Sequence, residues 1–404
     1  MNGWTKRIDP RWVLAITCLL GWAFKGHCGA YWLGDIQYLT GCYSDAVPFW
    51  GLRGVSAGQI PYLEARMEYP VLTGWLIWAE GLVTRTLFGS GATAAHFLFV
   101  VAAVNAGLAF LVLAMMRRAR VDRTRQFAWA GAPPLVLYLG HNWDMLAVTF
   151  AVAAVLFARR GGLRIATALA ALGSAAKLFP VLLLPVFGLA ALFARGGGGV
   201  WRRVGAATVL AAIAIGSWGL VNAPIAVQAF ANWSEFYTFS SARSGTAASV
   251  WEILAQAGWW VTPVPTRNLW SGLVFLGGAA MIVGLGWIRH RARPWLLFAP
   301  VLAWFLLTNK VYSPQFDLWL YPMLVLTSYR LWPVAWFALG DIAAYFAEFW
   351  WFAGIDGYHP AASSSDIAVA ATFRAASMLW LIGSSLLRPA PAWVLCPRTA
   401  PDTA

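Results

Sequence analysis

Long apolar runs, separated by short arginine clusters, recur along the whole of this 404-residue chain. They fall at 12–24, 94–116, 127–140, 144–158, 164–176, 178–194, 204–222, 268–288, 294–308, 316–328, 332–350 and 366–387. Only 11% of the residues are charged and 60% are hydrophobic, whereas a soluble domain carries about 25% charged residues. Too little polar surface remains to cover a water-soluble fold. The pattern predicts an all-α, polytopic membrane protein of about 12 transmembrane helices, in a single domain over 1–404. Several runs are shorter than the ~20 residues of a straight span, so their ends must extend into semi-polar flanks, or the helices must bend or be shielded by protein. The 26 Trp residues suit long interfacial belts, where an amphipathic ring sits at headgroup level.

The net charge of +13 raises nucleic acid as a partner, and its distribution dismisses it. The basic residues lie in short clusters between apolar runs, facing anionic membrane lipid, and no basic domain is present to follow a groove. The first run, Trp12 to Phe24, ends at Lys25-Gly26-His27 with no small-residue cleavage site and reads as a retained anchor. Segment 71–88 is apolar but carries Glu80 and Arg85, and it decides the topology. If it lies along the outer surface as an interfacial helix, every strong basic cluster falls inside. These are Lys6/Arg7/Arg11, Arg117 to Arg125, Arg159/Arg160/Arg164, Arg195/Arg202/Arg203, Arg289/Arg291/Arg293 and Arg388. The positive-inside rule selects that assignment, with both termini cytoplasmic and the chain in the plasma membrane. The outer face then holds a long first loop (25–91), bearing interfacial helices, and a second large loop (222–267). Cys28 and Cys42 fall in the first loop, where an oxidising compartment would pair them; the alternative is two free buried thiols.

The inner loops read as topology signals, whereas the outer ones hold mixed polar chemistry. No internal repeat of the kind that builds many transporters is evident. Gly196 to Gly199 reads as a flexible hinge, and Gly51, Gly54 and Gly58 are followed by no Lys-Ser/Thr, so neither is a phosphate loop. The chain has no D-x-D and no H-E-x-x-H, and no metal site or other cofactor is expected.

Five outer stretches carry candidate chemistry. The first loop contains Asp35, Asp45 and Glu68-Tyr69-Pro70. A carboxylate beside aromatic residues at a membrane surface is partly desolvated, which raises its pKa toward the range of a general base; otherwise these acids solvate the loop or cap a helix. His141-Asn142-Trp143-Asp144 joins two runs too tightly for a free loop, and its alternative role is helix capping. Lys177, pinned between two runs, would either snorkel or meet a lipid phosphate. Loop 222–267 holds Glu235 and Arg243. The last stretch runs through Lys310, Tyr312 and Gln315. His359 lies on the same face.

Asp45-Ala46-Val47-Pro48-Phe49-Trp50, followed by Gly58, Pro61-Tyr62 and Tyr69-Pro70, resembles the first loop of glycosyltransferase family 87, within the GT-C superfamily. Asn142-Trp143-Asp144, Lys177-Leu178-Phe179-Pro180 and Lys310-Val311-Tyr312-Ser313-Pro314-Gln315 resemble motifs of its actinobacterial members, so the likeness runs from Asp45 to Gln315. Tyr69-Pro70 is followed by Val71 where many members carry a second proline. The resemblance implies a GT-C-like membrane enzyme that takes a sugar, mannose first among the expectations, from a polyprenyl phosphate. The acceptor would be a lipid-anchored glycan on the outer face. It implies that Asp45 is the catalytic base and that transfer inverts the anomeric centre. Lys177, Lys310 and Arg243 are then the candidates for the donor phosphate. Asp35, Glu68, Tyr69, His141, Asn142, Asp144, Tyr312, Gln315 and His359 would support the site or meet the acceptor. The rival reading is a transporter or flippase of a lipid-linked sugar, favoured by Asp341 in mid-run; a catalytically silent scaffold is a third.

Overall fold

Backbone groups inside a bilayer have no water to bond, so an apolar chain must satisfy them within helices. A computed structural model describes residues 8–29, 32–194 and 199–395, and every regular element among them is helical. Lys6, Arg7, Arg195, Cys396 and the glycines at 196–198 lie outside the described residues.

The first anchor is α1 (Pro10–Gly26), started by Pro10 and capped by Asp9, whose carboxylate accepts the Arg11 N–H at 2.9 Å. The loop after it carries α2 (Ile36–Leu39), α3 (Ala46–Leu52) and α4 (Val71–Phe88). Next comes α5 (Ala94–Arg118), opened by a Thr93–His96 capping box. The predicted run 127–140 is broken at Gly131-Ala132, giving α6 (Arg123–Ala130) and α7 (Pro133–Tyr138), because Pro133 cannot continue a helix hydrogen-bond ladder. Then follow α8 (Asp144–Arg159), α9 (Leu163–Ser174), α10 (Leu183–Leu192) and α11 (Val200–Gln228). The second large loop holds α12 (Phe230–Ala242) and α13 (Val250–Gln256) before α14 (Val264–His290). The chain closes with α15 (Phe298–Thr308), α16 (Asp317–Thr327), α17 (Trp332–Ile355), α18 (Ser364–Leu387) and the short α19 (Ala392–Leu395). Short 3₁₀ turns opened by proline or carrying it at their second position, at 179–182, 294–297 and 314–316, lengthen α10, α15 and α16.

Among the described residues, four stretches are long and apolar enough to cross a membrane: Ala94–Arg118, Val200–Gln228, Val264–His290 and Ser364–Leu395. Along α11 and α14 only 6% and 11% of the best window is covered by protein. Leu220 and Ile288 are about four-fifths exposed. Apolar helices this bare are compatible with lipid and not with water.

Helix-end contacts fix directions. Arg117 at the end of α5 meets Asp9 at the start of α1 at 3.3 Å, and Arg123 donates to the Ile8 carbonyl at 2.5 Å. The two helices are therefore antiparallel. α4 begins with the Leu72 N–H on the Ala175 carbonyl (2.9 Å) and finishes with Phe88 stacked on His96 at the start of α5, 4.0 Å between rings. Both its ends lie where the chain leaves α1 and enters α5. At the opposite end Arg159 donates to Ala119 and Trp393, Arg125 to Ser328, and His290 to Ser385.

The central packing gathers α8, α15 and α16 around Leu302, Leu306, Leu320 and Leu326. Into it is set a polar knot: Arg374 of α18 donates to Asp317 at 3.0 Å and lies 3.8 Å over the Tyr312 ring, whose hydroxyl also bonds Asp317. Tyr138 bonds Asp341 beside it. Asp341, read from sequence as a mid-run charge, is thus buried and hydrogen-bonded. Removing one partner of a buried pair leaves an uncompensated charge, at a cost of about 3–5 kcal/mol. Arg374→Met should therefore lower the melting temperature of detergent-solubilised protein sharply. Arg374→Met with Asp317→Leu should recover most of the loss, and a double variant no more stable than the single would show the knot contributes otherwise.

Candidate active site

At the end where α1 is left and α5 is entered, the first loop folds back on the bundle. Asp45 opens α3; its N–H donates to the His141 carbonyl at 2.8 Å, and the Ser44 hydroxyl donates to the Gly140 carbonyl at 2.6 Å. Pro48 sits in the first turn of α3, where its missing N–H has no partner to lose. Tyr69-Pro70 then leads into α4, and the Thr73 hydroxyl donates to the Ala176 carbonyl at 2.7 Å. These two dockings bring distant motifs to one place.

The Tyr69 hydroxyl donates to Asp45 Oδ2 at 2.8 Å. The Lys177 ammonium lies 4.6 Å over the Tyr69 ring and pairs with Asp144 Oδ1 at 2.8 Å. Asp144, wholly buried, also accepts the Trp319 indole N–H at 2.7 Å. Trp143 walls the site, its ring 5.2 Å from Phe49 and 5.4 Å from Tyr69, and its N–H donates to Glu80 at 2.6 Å. Arg243, at the end of α12, is within electrostatic reach of both Asp45 and Tyr69.

Burial pushes the Asp45 carboxyl above its ordinary range, and neighbouring Asp144 adds to this. Hydrogen bonds from Tyr69 and Tyr43 and the Lys177 charge oppose it. His141 is driven the other way, first by burial and then by the Lys25 and Lys177 ammoniums, so its imidazole is neutral. The result is a half-buried carboxylate with raised basicity, with the Lys177 ammonium held nearby and Arg243 within electrostatic reach. It is able to accept a proton next to a place where negative charge would be stabilised.

The other predicted residues have separate duties. Lys310 donates to the Ser241 and Arg243 carbonyls at 2.8 and 2.7 Å, so its ammonium holds the end of α12 and positions Arg243. Asn142 accepts the Asp144 N–H at 3.0 Å, capping α8. Tyr312 belongs to the Arg374 knot. Gln315 is half-buried, next to Phe316, whose ring is 5.9 Å from the Lys177 ammonium. Asp35, with a left-handed φ of 54°, faces Asp356, and burial together with that second carboxylate raises its pKa. Glu68 is ion-paired with Arg53, and His359 is exposed. Cys28 and Cys42 form a disulfide that ties the end of α1 to the stretch before Asp45; Cys18 is free and buried.

Sequence reasoning missed Lys25. It is fully buried, donates to the Gly41 carbonyl at 2.9 Å and to Tyr345, and stands 3.3 Å from His141 Nδ1. Its signal was rarity, since the chain has only four lysines. Trp319 was missed because nothing local distinguishes it among 26 tryptophans.

No protein-family model matches the chain, and comparison with curated proteins finds no match. The likeness to glycosyltransferase family 87 rests on the short motifs, three of which this site brings into contact.

Tyr69→Phe removes a hydrogen bond that favours ionised Asp45, so the carboxyl pKa should move further up from the ordinary ~3.9. Infrared difference titration of the carboxyl stretch, assigned with Asp45→Asn, reads this directly. An unmoved or lowered midpoint would mean that the phenol does not stabilise the carboxylate.

Proposed function

We propose that the chain is an inverting membrane glycosyltransferase that takes a sugar, first of all mannose, from a polyprenyl monophosphate. The acceptor is a lipid-anchored glycan on the outer face of the plasma membrane. The observation that carries this reading is the contact of Asp45, Tyr69, Lys177 and Asp144, four residues from three separated motifs. Asp45 takes the proton of an acceptor hydroxyl as that oxygen attacks the anomeric carbon; the bond from that carbon to the phosphate oxygen breaks, and polyprenyl phosphate leaves. Lys177 and Arg243, both within electrostatic reach of Asp45, would stabilise the charge gathering on the leaving phosphate, as cations in a partly dry site do.

General-base assistance contributes about 10²–10⁴-fold. Asp45→Asn keeps the size and most hydrogen bonds but cannot take the proton. Turnover should fall by roughly that factor, with donor binding retained. Asp35→Asn, paired away from the site, should cost far less. Near-normal sugar transfer by purified Asp45→Asn would sink the assignment.

The topology is about twelve crossings, with α4 on the outer surface and both termini inside. It is supported by the antiparallel α1 and α5, by α4 returning to the end it left, and by the arginine-rich clusters at the opposite end. Cysteines introduced at Arg120 and at Ser241 should label from opposite sides, with Ser241 outside. Labelling of both from outside would overturn it.

A transporter of lipid-linked sugar is the second reading, favoured by the buried charges of Asp317, Asp341 and Arg374. Sugar transfer by purified protein in detergent, where no gradient exists, separates the two.

A further inference from the structure

At the opposite end of the molecule from Asp45, a cavity of about 540 Å³ opens between the start of α9, the end of α10 and the start of α11. That size falls in the range of about 300–1,000 Å³ typical of small-molecule sites. Its deep wall is apolar, with Ala191 and Leu210 buried, and Val209 at its side is exposed. Its rim carries Arg164, Arg202 and Arg203. No carboxylate lines it, and none of the three guanidiniums has an ion-pair partner among the described residues. The Arg203 Nε is buried and has no acceptor among the described residues. Three other arginines at this end donate to backbone carbonyls: Arg125 to Ser328, Arg159 to Ala119 and Arg160 to Arg118.

An apolar slot crowned by unpaired guanidiniums matches one chemistry. Arginine forks bind phosphate oxygens bidentately, and the slot takes methylene chain. Trp201, 86% exposed beside Arg202, is the kind of ring that sits at headgroup depth. The slot therefore opens where a leaflet would supply its occupant. We propose that this cavity is a binding site for an anionic phospholipid, with the phosphate held by Arg164, Arg202 and Arg203 and an acyl chain along Leu210 and Val209. The lipid would brace α9, α10 and α11 against one another. The site does not depend on the glycosyltransferase reading, since it requires only that the helices lie in a membrane.

The test is native mass spectrometry and thermal unfolding of the purified full chain, delipidated and then offered phosphatidylglycerol, phosphatidylcholine with the same acyl chains, or inorganic phosphate. Wild type should retain phosphatidylglycerol adducts and melt higher with that lipid alone. Arg164→Gln, Arg202→Gln and Arg203→Gln combined should weaken phosphatidylglycerol retention at least tenfold while leaving phosphatidylcholine retention unchanged. Ala206→Phe fills the slot with all three charges kept, and should weaken it as well. Equal retention of both lipids by wild type would overturn the proposal. So would unchanged phosphatidylglycerol binding in either variant, or stabilisation by inorganic phosphate as large as by the lipid, which would make this a site for free anions.

Discussion

The ion pair between Lys177 and Asp144 is the joint on which the site end of the molecule depends. Asp144 opens α8, where the helix dipole favours an anion, and it is held from two sides, by the Lys177 ammonium and the Trp319 indole. Desolvating a carboxylate and an ammonium costs several kcal/mol per ion, so such a pair is poor evidence for stability. What it supplies is position. Lys177 can neither swing outward nor sink, because its ammonium is fixed between Asp144 and the Tyr69 ring. The first loop, α8, the turn after α9 and the start of α16 therefore meet at one point. Asp45 inherits its place from that meeting through the Tyr69 hydroxyl.

The first loop packs against apolar helices, where an unsatisfied buried polar group costs several kcal/mol. Around Asp45 its main chain is tied to the rest of the molecule. The Gly41 carbonyl takes Lys25, Ser44 reaches Gly140, and the Asp45 N–H takes the His141 carbonyl. Lys25 thus shapes the loop without touching the carboxylate. The disulfide between Cys28 and Cys42 closes the same stretch covalently. A stretch tied at Gly41, Ser44 and Asp45 can hold a carboxylate at one depth, and depth sets how strongly burial raises its basicity.

The helices were legible because hydropathy is a property of each run by itself. The expected runs at 94–116 and 144–158 reappear as Ala94–Arg118 and Asp144–Arg159. Where a run was misjudged, as at 127–140, the break lies at a Gly-Ala-Pro that apolar counting ignores. The structure brings Asp45, Tyr69, Asp144 and Lys177, singled out from separate stretches of sequence, to one end. The sequence did not reveal depth or partners. His359 shares a face with Asp45 yet is exposed, and Lys310 carried a charge suited to phosphate whose acceptors turned out to be carbonyls of α12. Arg374 stood in an apolar run with nothing nearby to mark Asp317, 57 residues away, as its partner. Pairings of that kind are written only in the tertiary fold.

The two ends use positive charge in different ways, and the difference explains why the basic end contains so few acids. There, guanidiniums bond carbonyls at or just beyond helix ends: Arg125 reaches Ser328 after α16, Arg160 reaches Arg118 at the end of α5, and Arg159 reaches Ala119 just past it. Those carbonyls have no helical partner, and the helix dipole makes them attractive to cations. The residues that read as orientation signals are therefore also the caps that finish the helices. At the other end Lys25 and Lys310 also donate to carbonyls, whereas Lys177 meets a carboxylate and aromatic rings. Lys177 sits among Asp144, Tyr69 and Trp319, surroundings that hold a charge in place while leaving it only partly neutralised. A cation already satisfied by carbonyls has little left to offer a ligand. One held against rings and a shared carboxylate still has donors to give, and in this Lys177 differs from the arginines that cap helix ends.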